Sequence, residues 1–210
     1  MKEKPLILVG GGGHCKSVIE AAESVGREIK GILDLPEYLG YDCIGYKVIG
    51  TDADIQMYAH ECEFIVTLGF ITNPEHRIQL HRLVEKAGGK FGNVIASSAH
   101  VSRHAYVARG SVVLHNADIN AGAHIGKGCI INTGANIEHD VRIGNYSHVS
   151  TGAMVNGDCR IGESTFIGSG AVVANGVSIA DNVVIGAGAV VCSDVNDSGT
   201  YIGIPARKKY

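Results

Sequence analysis

Isoleucine and valine recur every six positions through the second half of the chain. The repeated positions keep one register without a break: Ile95, Val101, Val107, Val113, Ile119, Ile125, Ile131, Ile137, Ile143, Val149, Val155, Ile161, Ile167, Val173, Ile179, Ile185 and Val191. The residue four positions after each of the first sixteen is small or β-branched, as at Ala117, Cys129 and Val141. A spacing of six fits neither the 3.6-residue period of a helix nor the two-residue period of a strand. It indicates a short strand and a turn, repeated as the sides of a prism.

Stacked coils of such a prism satisfy one another's backbone hydrogen bonds and bury a continuous aliphatic column. We therefore predict a hexapeptide-repeat parallel β-helix over residues 93–210. The regular wall also predicts where polar residues lie. In the stretch IEHDVRIG, His139 follows the inward Ile137 by two positions, so its side chain is expected to project outward.

The first part of the chain has a different pattern. Predicted strands cover residues 6–9, 28–34 and 62–69, and predicted helices cover residues 14–26 and 73–88. Gly26 suits a helix C-cap, and Asn73 with Pro74 suits an N-cap followed by the first helical position. These elements predict a small β-α-β domain of Rossmann-like type over residues 1–92.

Four glycines, residues 10–13, separate the first strand from the first helix. Such a turn aims backbone N–H groups at a phosphate. Asp34 lies 21 residues after Gly13, where an acidic residue commonly meets a ribose hydroxyl. The GxGxxG pattern is incomplete, because Cys15 occupies the third glycine position, and the domain is short for a dinucleotide fold. We expect a nucleotide or nucleotide-sugar site rather than NAD, with tight-turn packing as the alternative.

Composition narrows the class of protein. The formal net charge of −3 gives no basic field for nucleic acid. No apolar run approaches a membrane span, and Leu6–Val9 is too short for a signal-peptide core. The six cysteines form no CxxC pair, which favours reduced thiols in a cytoplasmic protein.

Three motifs, GGGGHCKSVIEAA, INTGANIEHDVRIGNYSHVSTGA and YIGIPARKKY, span nearly the whole chain. With them the sequence resembles the acetyl-CoA-dependent sugar acetyltransferases of bacterial glycan pathways. That family includes PglD-like UDP-4-amino-sugar N-acetyltransferases and NeuD-like sialic acid O-acetyltransferases. The resemblance implies a left-handed β-helix with three repeats per coil, and a homotrimer with active sites between neighbouring prisms.

The resemblance also implies catalytic roles. His139 would be the general base, and Asp140 would orient it. An amine or hydroxyl must lose a proton as it attacks a thioester, and a histidine near pKa 6.5 accepts that proton at neutral pH. A carboxylate on the other ring nitrogen fixes the tautomer. We expect direct attack without an acyl-enzyme, since Cys129 and Cys159 occupy small inward positions.

Further roles follow from the same resemblance. His148 matches a family histidine that contacts acetyl-CoA near its thioester, and the pantetheine groove would be lined by Gly157, Ser169 and Ala187. Arg207, Lys208 and Lys209 would attract CoA phosphates, unless they are simply solvated. Asn132 would help to position the base, with an ordinary turn asparagine as the alternative.

The nucleotide part of the acceptor would be held by Gly12, Gly13, His14 and Asp34. Leu35 replaces the second acidic residue that PglD-like enzymes tend to carry. The loop GFITNPEHR, which opens at the substrate-binding position Gly69, is closer to the NeuD-like pattern. A UDP-linked 4-amino sugar is the first choice of acceptor, and a sialic acid hydroxyl is the alternative.

Other classes share the prism. Carbonic anhydrases of the γ type bind zinc with histidines on such walls, and the outward histidines here are His115, His124, His139 and His148. They lack the close pairing expected of zinc ligands, so we expect no metal. A non-catalytic scaffold is a further alternative. A serine acetyltransferase is disfavoured by the β-α-β first domain, and a nucleotidyltransferase would need a longer one.

Overall fold

The structure is a computed structural model that describes residues 3–209. Residues 1, 2 and 210 of the predicted domains lie outside the described part. The helices are α1 (Gly13–Ser24), α2 (Ile55–Tyr58) and α3 (Glu75–Lys86), with single 3₁₀ turns at Pro36–Tyr38 and Asp52–Asp54. The strands before the prism are β1 (Leu6–Val9), β2 (Ile29–Leu33), β3 (Asp42–Cys43), β4 (Tyr46–Gly50), β5 (Glu63–Val66) and β6 (Lys90–Phe91).

The strands before the prism form one six-stranded sheet in the order β3-β4-β2-β1-β5-β6. All neighbours pair in parallel except β3, which pairs antiparallel with β4 at the edge. Helix α3 begins one residue later than predicted, yet Asn73 Oδ1 still accepts a hydrogen bond from Glu75 N at 2.9 Å. The β3–β4 hairpin was not predicted, because its strands are short and without strong alternation.

The prism has three faces, each a sheet of short parallel strands. The first face contains β7 (Val94–Ile95), β10 (Val112–Val113), β13 (Ile130–Ile131), β16 (His148–Val149), β19 (Phe166–Ile167), β22 (Val183–Ile185), β24 (Gly199–Ile202) and antiparallel β25 (Arg207–Lys208). The second face contains β8 (His100–Val101), β11 (Asp118–Ile119), β14 (Asn136–Ile137), β17 (Met154–Val155), β20 (Val172–Val173) and β23 (Val190–Val191). The third face contains β9 (Tyr106–Val107), β12 (His124–Ile125), β15 (Arg142–Ile143), β18 (Arg160–Ile161) and β21 (Ser178–Ile179).

One coil of the prism takes three hexapeptides. Ile137 pairs with Val155, eighteen residues on, and the same step recurs between neighbouring strands of each face. Every predicted inward isoleucine and valine belongs to one aliphatic core. Buried hydroxyls in that core are satisfied locally: Ser147 Oγ donates to Gly162 O at 2.7 Å and accepts from Thr165 N at 3.0 Å. The predicted left-handed parallel β-helix is therefore confirmed.

The first domain sits on the first face of the prism. Helix α1 packs between the sheet and that face, so that Ile19 shares an apolar core with Val112 and Ile130. Helices α2 and α3 contribute Ile55, Leu80 and Val84 to the core on the opposite side of the sheet. β6 is the last strand of the first sheet and β7 opens the prism, and the domain boundary at residues 92 and 93 stays a prediction.

Arg77 on α3 ties the two parts together. Its guanidinium is 1% exposed; Nη1 donates to Val66 O and Leu68 O, both at 2.6 Å, and Nη2 donates to Gly128 O at 3.1 Å. Val66 ends β5, Leu68 lies in the loop that follows it, and Gly128 lies in a turn of the prism. A buried guanidinium that loses these partners is costly, so these hydrogen bonds fix how the loop after β5 lies on the prism.

No helix within residues 3–209 is both long enough and apolar enough to span a bilayer.

Candidate active site

His139 and Asp140 form the turn between β14 and β15, at the edge where the second and third faces meet. Asp140 takes the left-handed conformation with φ of 62°, and both side chains are exposed, as predicted for His139. His139 Nδ1 lies 2.9 Å from Asp140 Oδ2. An ionised carboxylate only accepts, so Nδ1 carries the proton and Nε2 is free to accept another. This hydrogen bond, helped by the charges of Asp140, Glu138 and Asp158, raises the pKa of His139 above 6.5.

Two glycines frame this pair, one in the coil before it and one in the coil after it. A Cβ at Gly157 would lie 2.6 Å from both Cε1 and Nε2 of His139. A Cβ at Gly122 would overlap Asp140 Oδ1. The imidazole of His139 therefore lies so close to Gly157 that no side chain fits at position 157 without moving the ring. Gly157, predicted from the family to line the cofactor groove, packs against the ring of His139 in this chain.

His148 has a different environment from the one predicted for an outward histidine. It points out of the prism from β16, but the first domain covers it and leaves it 7% exposed. Nδ1 lies 3.1 Å from Phe70 O, which can only accept, so Nδ1 donates and Nε2 accepts from Asn132 Nδ2 at 3.2 Å. Burial lowers the pKa of His148 to about 4, and the charge of Arg77 acts in the same direction. His148 is therefore neutral, and both its ring nitrogens are engaged.

His14 lies beside it, with ring centroids 6.4 Å apart. Burial, followed by the charges of Arg77 and His148, lowers the pKa of His14 to about 3. Its Nε2 is buried and has no hydrogen-bond partner among residues 3–209. Gly69 packs against it, since a Cβ there would lie 3.8 Å from that of His14. We call His14, Gly69, Asn132 and His148 the junction cluster.

The role of Asn132 in positioning the base stays a prediction. Within the described residues its side chain contacts His148 rather than His139, and its Oδ1 accepts from Thr133 N at 2.8 Å. The reason is its place in the coil: Asn132 directly follows β13 on the first face, whereas His139 lies on the far edge.

The glycine turn and Asp34 form a separate hollow. Gly12 and Gly13 are exposed at the start of α1. Asp34 accepts from Gly11 N at 2.7 Å through Oδ2 and from Leu35 N at 2.8 Å through Oδ1, so it holds the turn in shape. A cavity of about 480 Å³ lies elsewhere, on the third face. The hollow itself has a volume of about 330 Å³, and its lining is Gly10, Gly11, Gly12, Asp34, Tyr38, Tyr41 and Leu68.

Ser169 and Ala187 occupy stacked turns between the first and second faces, and both are exposed. Ser169 Oγ lies 3.0 Å from Ser150 Oγ, on the side of the coil that continues from His148 and Val149. These positions form a column that leads from the junction cluster towards the C-terminal coils, as a long thioester arm would require.

Within one chain the two groups of predicted residues are not together. The edge where the second and third faces meet lies opposite the first face, so the aliphatic core separates the His139–Asp140 pair from the junction cluster on the first face. Among residues 3–209 there is also no group of three or more metal-ligating side chains. The thiol of Cys129 is buried in the core, and burial raises its pKa to about 12, which removes it as a nucleophile.

A Rossmann-like domain on a left-handed β-helix, with an exposed histidine–carboxylate pair at the edge of the prism, is the arrangement of a hexapeptide-repeat acyltransferase. Residues 5–84 match the family model of the PglD N-terminal domain, and residues 158–193 match that of the bacterial transferase hexapeptide (six repeats). No curated protein sequence matches the chain.

Solved structures extend the similarity over the whole chain. The acetyltransferase domain of PglB from Neisseria gonorrhoeae is 32% identical, with a TM-score of 0.90 over 99% of this chain and 100% of that chain. PerB from Caulobacter crescentus, solved with CoA and GDP-perosamine, is 34% identical, with a TM-score of 0.91 over 98% and 97%. WeeI from Acinetobacter baumannii, 24% identical with a TM-score of 0.85 over 97% and 98%, shares the fold. The chain belongs to the sugar acetyltransferase family, as its motifs predicted.

Proposed function

We propose that this protein is an acetyl-CoA-dependent N-acetyltransferase that acts on the amino group of a nucleotide-linked amino sugar. The observation that carries the proposal is the exposed His139–Asp140 pair on a β-helix whose first face supports a nucleotide-type domain. The similar PerB was solved with CoA and GDP-perosamine, and the PglB domain was also solved with acetyl coenzyme A. Our first choice of acceptor is a UDP-linked 4-amino sugar, used in the cytoplasm for a bacterial surface glycan.

In the proposed reaction, the amine attacks the thioester carbonyl while His139 Nε2 takes its proton. Asp140 holds the proton on Nδ1, and its negative charge stabilises the imidazolium that forms. The tetrahedral intermediate then collapses and releases the CoA thiolate, which receives the proton. The groove along Ser169 and Ala187 would hold the pantetheine arm.

The contact between His148 and acetyl-CoA that the resemblance implies would not be a hydrogen bond from the histidine ring. Since its Nδ1–H is used by Phe70 O and its Nε2 accepts from Asn132, neutral His148 has no N–H left for a thioester oxygen. The second N–H of Asn132 Nδ2 is a better donor for that oxygen. His148 would then orient this amide, and its ring would form part of the wall.

The complete site would lie between copies of the chain. Because the prism core separates the His139–Asp140 pair from the junction cluster, one copy would supply the base and a neighbour would supply the cofactor column and nucleotide hollow. A homotrimer closes three such sites by rotation.

The test is thiol release from acetyl-CoA with three acceptors in parallel: a UDP-linked 4-amino-4,6-dideoxy sugar, its GDP-linked counterpart and free sialic acid. Turnover with an amino sugar, and none without acceptor, is the expected result. Turnover with sialic acid alone would replace N-acetylation by O-acetylation. Absence of acetyl-CoA binding in calorimetry would overturn the acetyltransferase itself.

A further inference from the structure

Two tyrosines in the loop after β2 have no role in the site described so far. Tyr38 and Tyr41 are 47% and 55% exposed, although each presents a large aromatic ring. Their ring centroids lie 6.4 Å apart with an angle of 64° between the planes, so the rings form an open corner. Neither hydroxyl has a hydrogen-bond partner within residues 3–209.

The loop that carries these rings is firmly held. Leu35 N donates to Asp34 Oδ1, and the 3₁₀ turn Pro36–Tyr38 follows at once. Gly40 N then donates to Val48 O at 2.9 Å, which ties the loop to β4. The rings are therefore presented by ordered backbone, and little conformational entropy would be lost if a ligand packed on them.

The corner also shares its cavity with the glycine turn. Tyr38 and Tyr41 line the same hollow of about 330 Å³ as Gly12 and Asp34. Free backbone N–H groups at the start of α1 suit a phosphate, the carboxylate of Asp34 comes next, and the aromatic corner completes the hollow. A nucleoside diphosphate has the same sequence of groups: phosphates, ribose and a flat aromatic base.

We propose that Tyr38 and Tyr41 bind the nucleobase of the sugar nucleotide. The two rings would thereby select which nucleotide sugar the protein accepts. The proposal rests on the proposed function and extends it to residues that no sequence motif marked. The base stacks on one ring and meets the second ring along its edge, where a phenolic hydroxyl can pair with the polar groups of the base. Stacking of a base on an aromatic side chain corresponds to an affinity change of about 10- to 100-fold.

The experiment compares Tyr38→Ala and Tyr41→Ala with Leu39→Ala. Leu39 lies between the tyrosines on the same loop and is 56% exposed, but it does not line the hollow, so its variant controls for damage to the loop. Calorimetry with UDP and with GDP gives the binding constants, and steady-state kinetics give KM for the amino-sugar nucleotide and for acetyl-CoA. Tyr38→Phe and Tyr41→Phe separate the ring from the hydroxyl.

We expect each alanine variant to weaken nucleotide binding by about 10-fold or more, with KM for acetyl-CoA unchanged. The phenylalanine variants should keep most of the affinity and change the ratio between UDP and GDP. Unchanged nucleotide binding in both alanine variants would overturn the corner, as would an equal loss in Leu39→Ala. If the wild-type protein binds nucleotide but transfers no acetyl group, the proposed function fails while the binding comparison still decides the corner.

Discussion

The edge that carries His139 and the junction that carries His148 show how one residue type acquires two chemistries. His139 is exposed and donates to a carboxylate, which raises its pKa. His148 is covered, donates to a backbone carbonyl, and has a pKa lowered to about 4. In the first, Nδ1 is paired with a carboxylate and Nε2 has no hydrogen-bond partner within residues 3–209, whereas the second is a neutral group with both ring nitrogens occupied.

The difference comes from what lies over each position. Both histidines point away from the prism axis, so the hexapeptide wall treats them alike. The first domain covers the first face and brings the carbonyl of Phe70 and the charge of Arg77 to His148. Among residues 3–209, none covers His139 in this way, and its side chain is exposed. The hexapeptide repeat therefore determines the direction of each histidine side chain, and the first domain determines the protonation state of His148.

Replacement of the proposed base, His139, tests this comparison most severely. In His139→Ala we expect kcat to fall by about 10³-fold, because general-base catalysis by a positioned side chain contributes on that order. Acetyl-CoA binding, measured by calorimetry, should be unchanged because Nε2 acts only during attack. His124→Ala, at an exposed histidine of the third face, is the matched control and should keep full activity. Wild-type turnover in His139→Ala would place the base elsewhere.

Gly157→Ala tests the geometry around the same ring. The added Cβ would lie 2.6 Å from His139 Nε2, so the imidazole must tilt away from its position. We expect kcat to fall by about 10²-fold, as for a catalytic group misplaced by about 1 Å. A double-mutant cycle supplies the control: once His139 is alanine, Gly157→Ala should have no further effect on kcat. A further loss would instead place Gly157 in direct contact with the cofactor.

Asp140→Asn tests the carboxylate with little change of shape, since asparagine also tolerates the left-handed conformation. The raised pKa of His139 depends first on its hydrogen bond to Asp140. Its loss should lower that pKa, so the acidic limb of kcat against pH should move to lower pH. We expect the plateau to fall by about tenfold, because the imidazolium loses its partner. A limb that stays in place would mean that another group titrates there.

The sequence predicts the prism well because every sixth position must place an apolar side chain of similar size in the core. An inward position accepts only a residue that fits the column, so the positions from Ile95 to Val191 mark the core without any tertiary information. The outward direction of His139 follows from Ile137 by the same argument. The fold and the exposed position of His139 could therefore be predicted from spacing and motifs, while the catalytic role of His139 stays a prediction.

The contacts of the junction cluster were much harder to predict from the sequence. The burial of His148 depends on Phe70, which is 78 residues away in the sequence. The hexapeptide pattern around His148 does not predict that contact. The contact between Asn132 and His148 was not predicted for a similar reason, since the prism places residues a few positions apart on different faces. Tyr38 and Tyr41 had one signal, their spacing just after Asp34, but only the folded loop shows that they share its hollow.

A last and smaller effect concerns the folding stability of the contact between α3 and the prism rather than catalysis. His81 on α3 is buried against Phe91 and Tyr146, with ring centroids 4.7 and 5.2 Å away, and its Nε2 has no partner within the described residues. Burial, then the charges of Arg77 and Lys127, lowers its pKa to about 2. The unfolded chain therefore binds a proton below pH 6.5 that the folded chain does not. Folding stability must fall on acidification, by about 1.4 kcal/mol per pH unit for each such histidine.

His81→Phe keeps an aromatic ring between Phe91 and Tyr146 and removes that proton. Urea unfolding of the variant and the wild type between about pH 5 and pH 8 should give curves that run parallel above pH 7. Below about pH 6.5 the variant should lose stability less steeply, by up to about 1.4 kcal/mol per pH unit. The slope that remains belongs in part to His14 and His148, whose pKa values are also lowered, to about 3 and about 4. Equal slopes for the two proteins would mean that His81 takes up its proton in the folded state. The contact between α3 and the prism would then admit water in acid. The difference between these buried histidines and the exposed His139 would hold only near neutral pH.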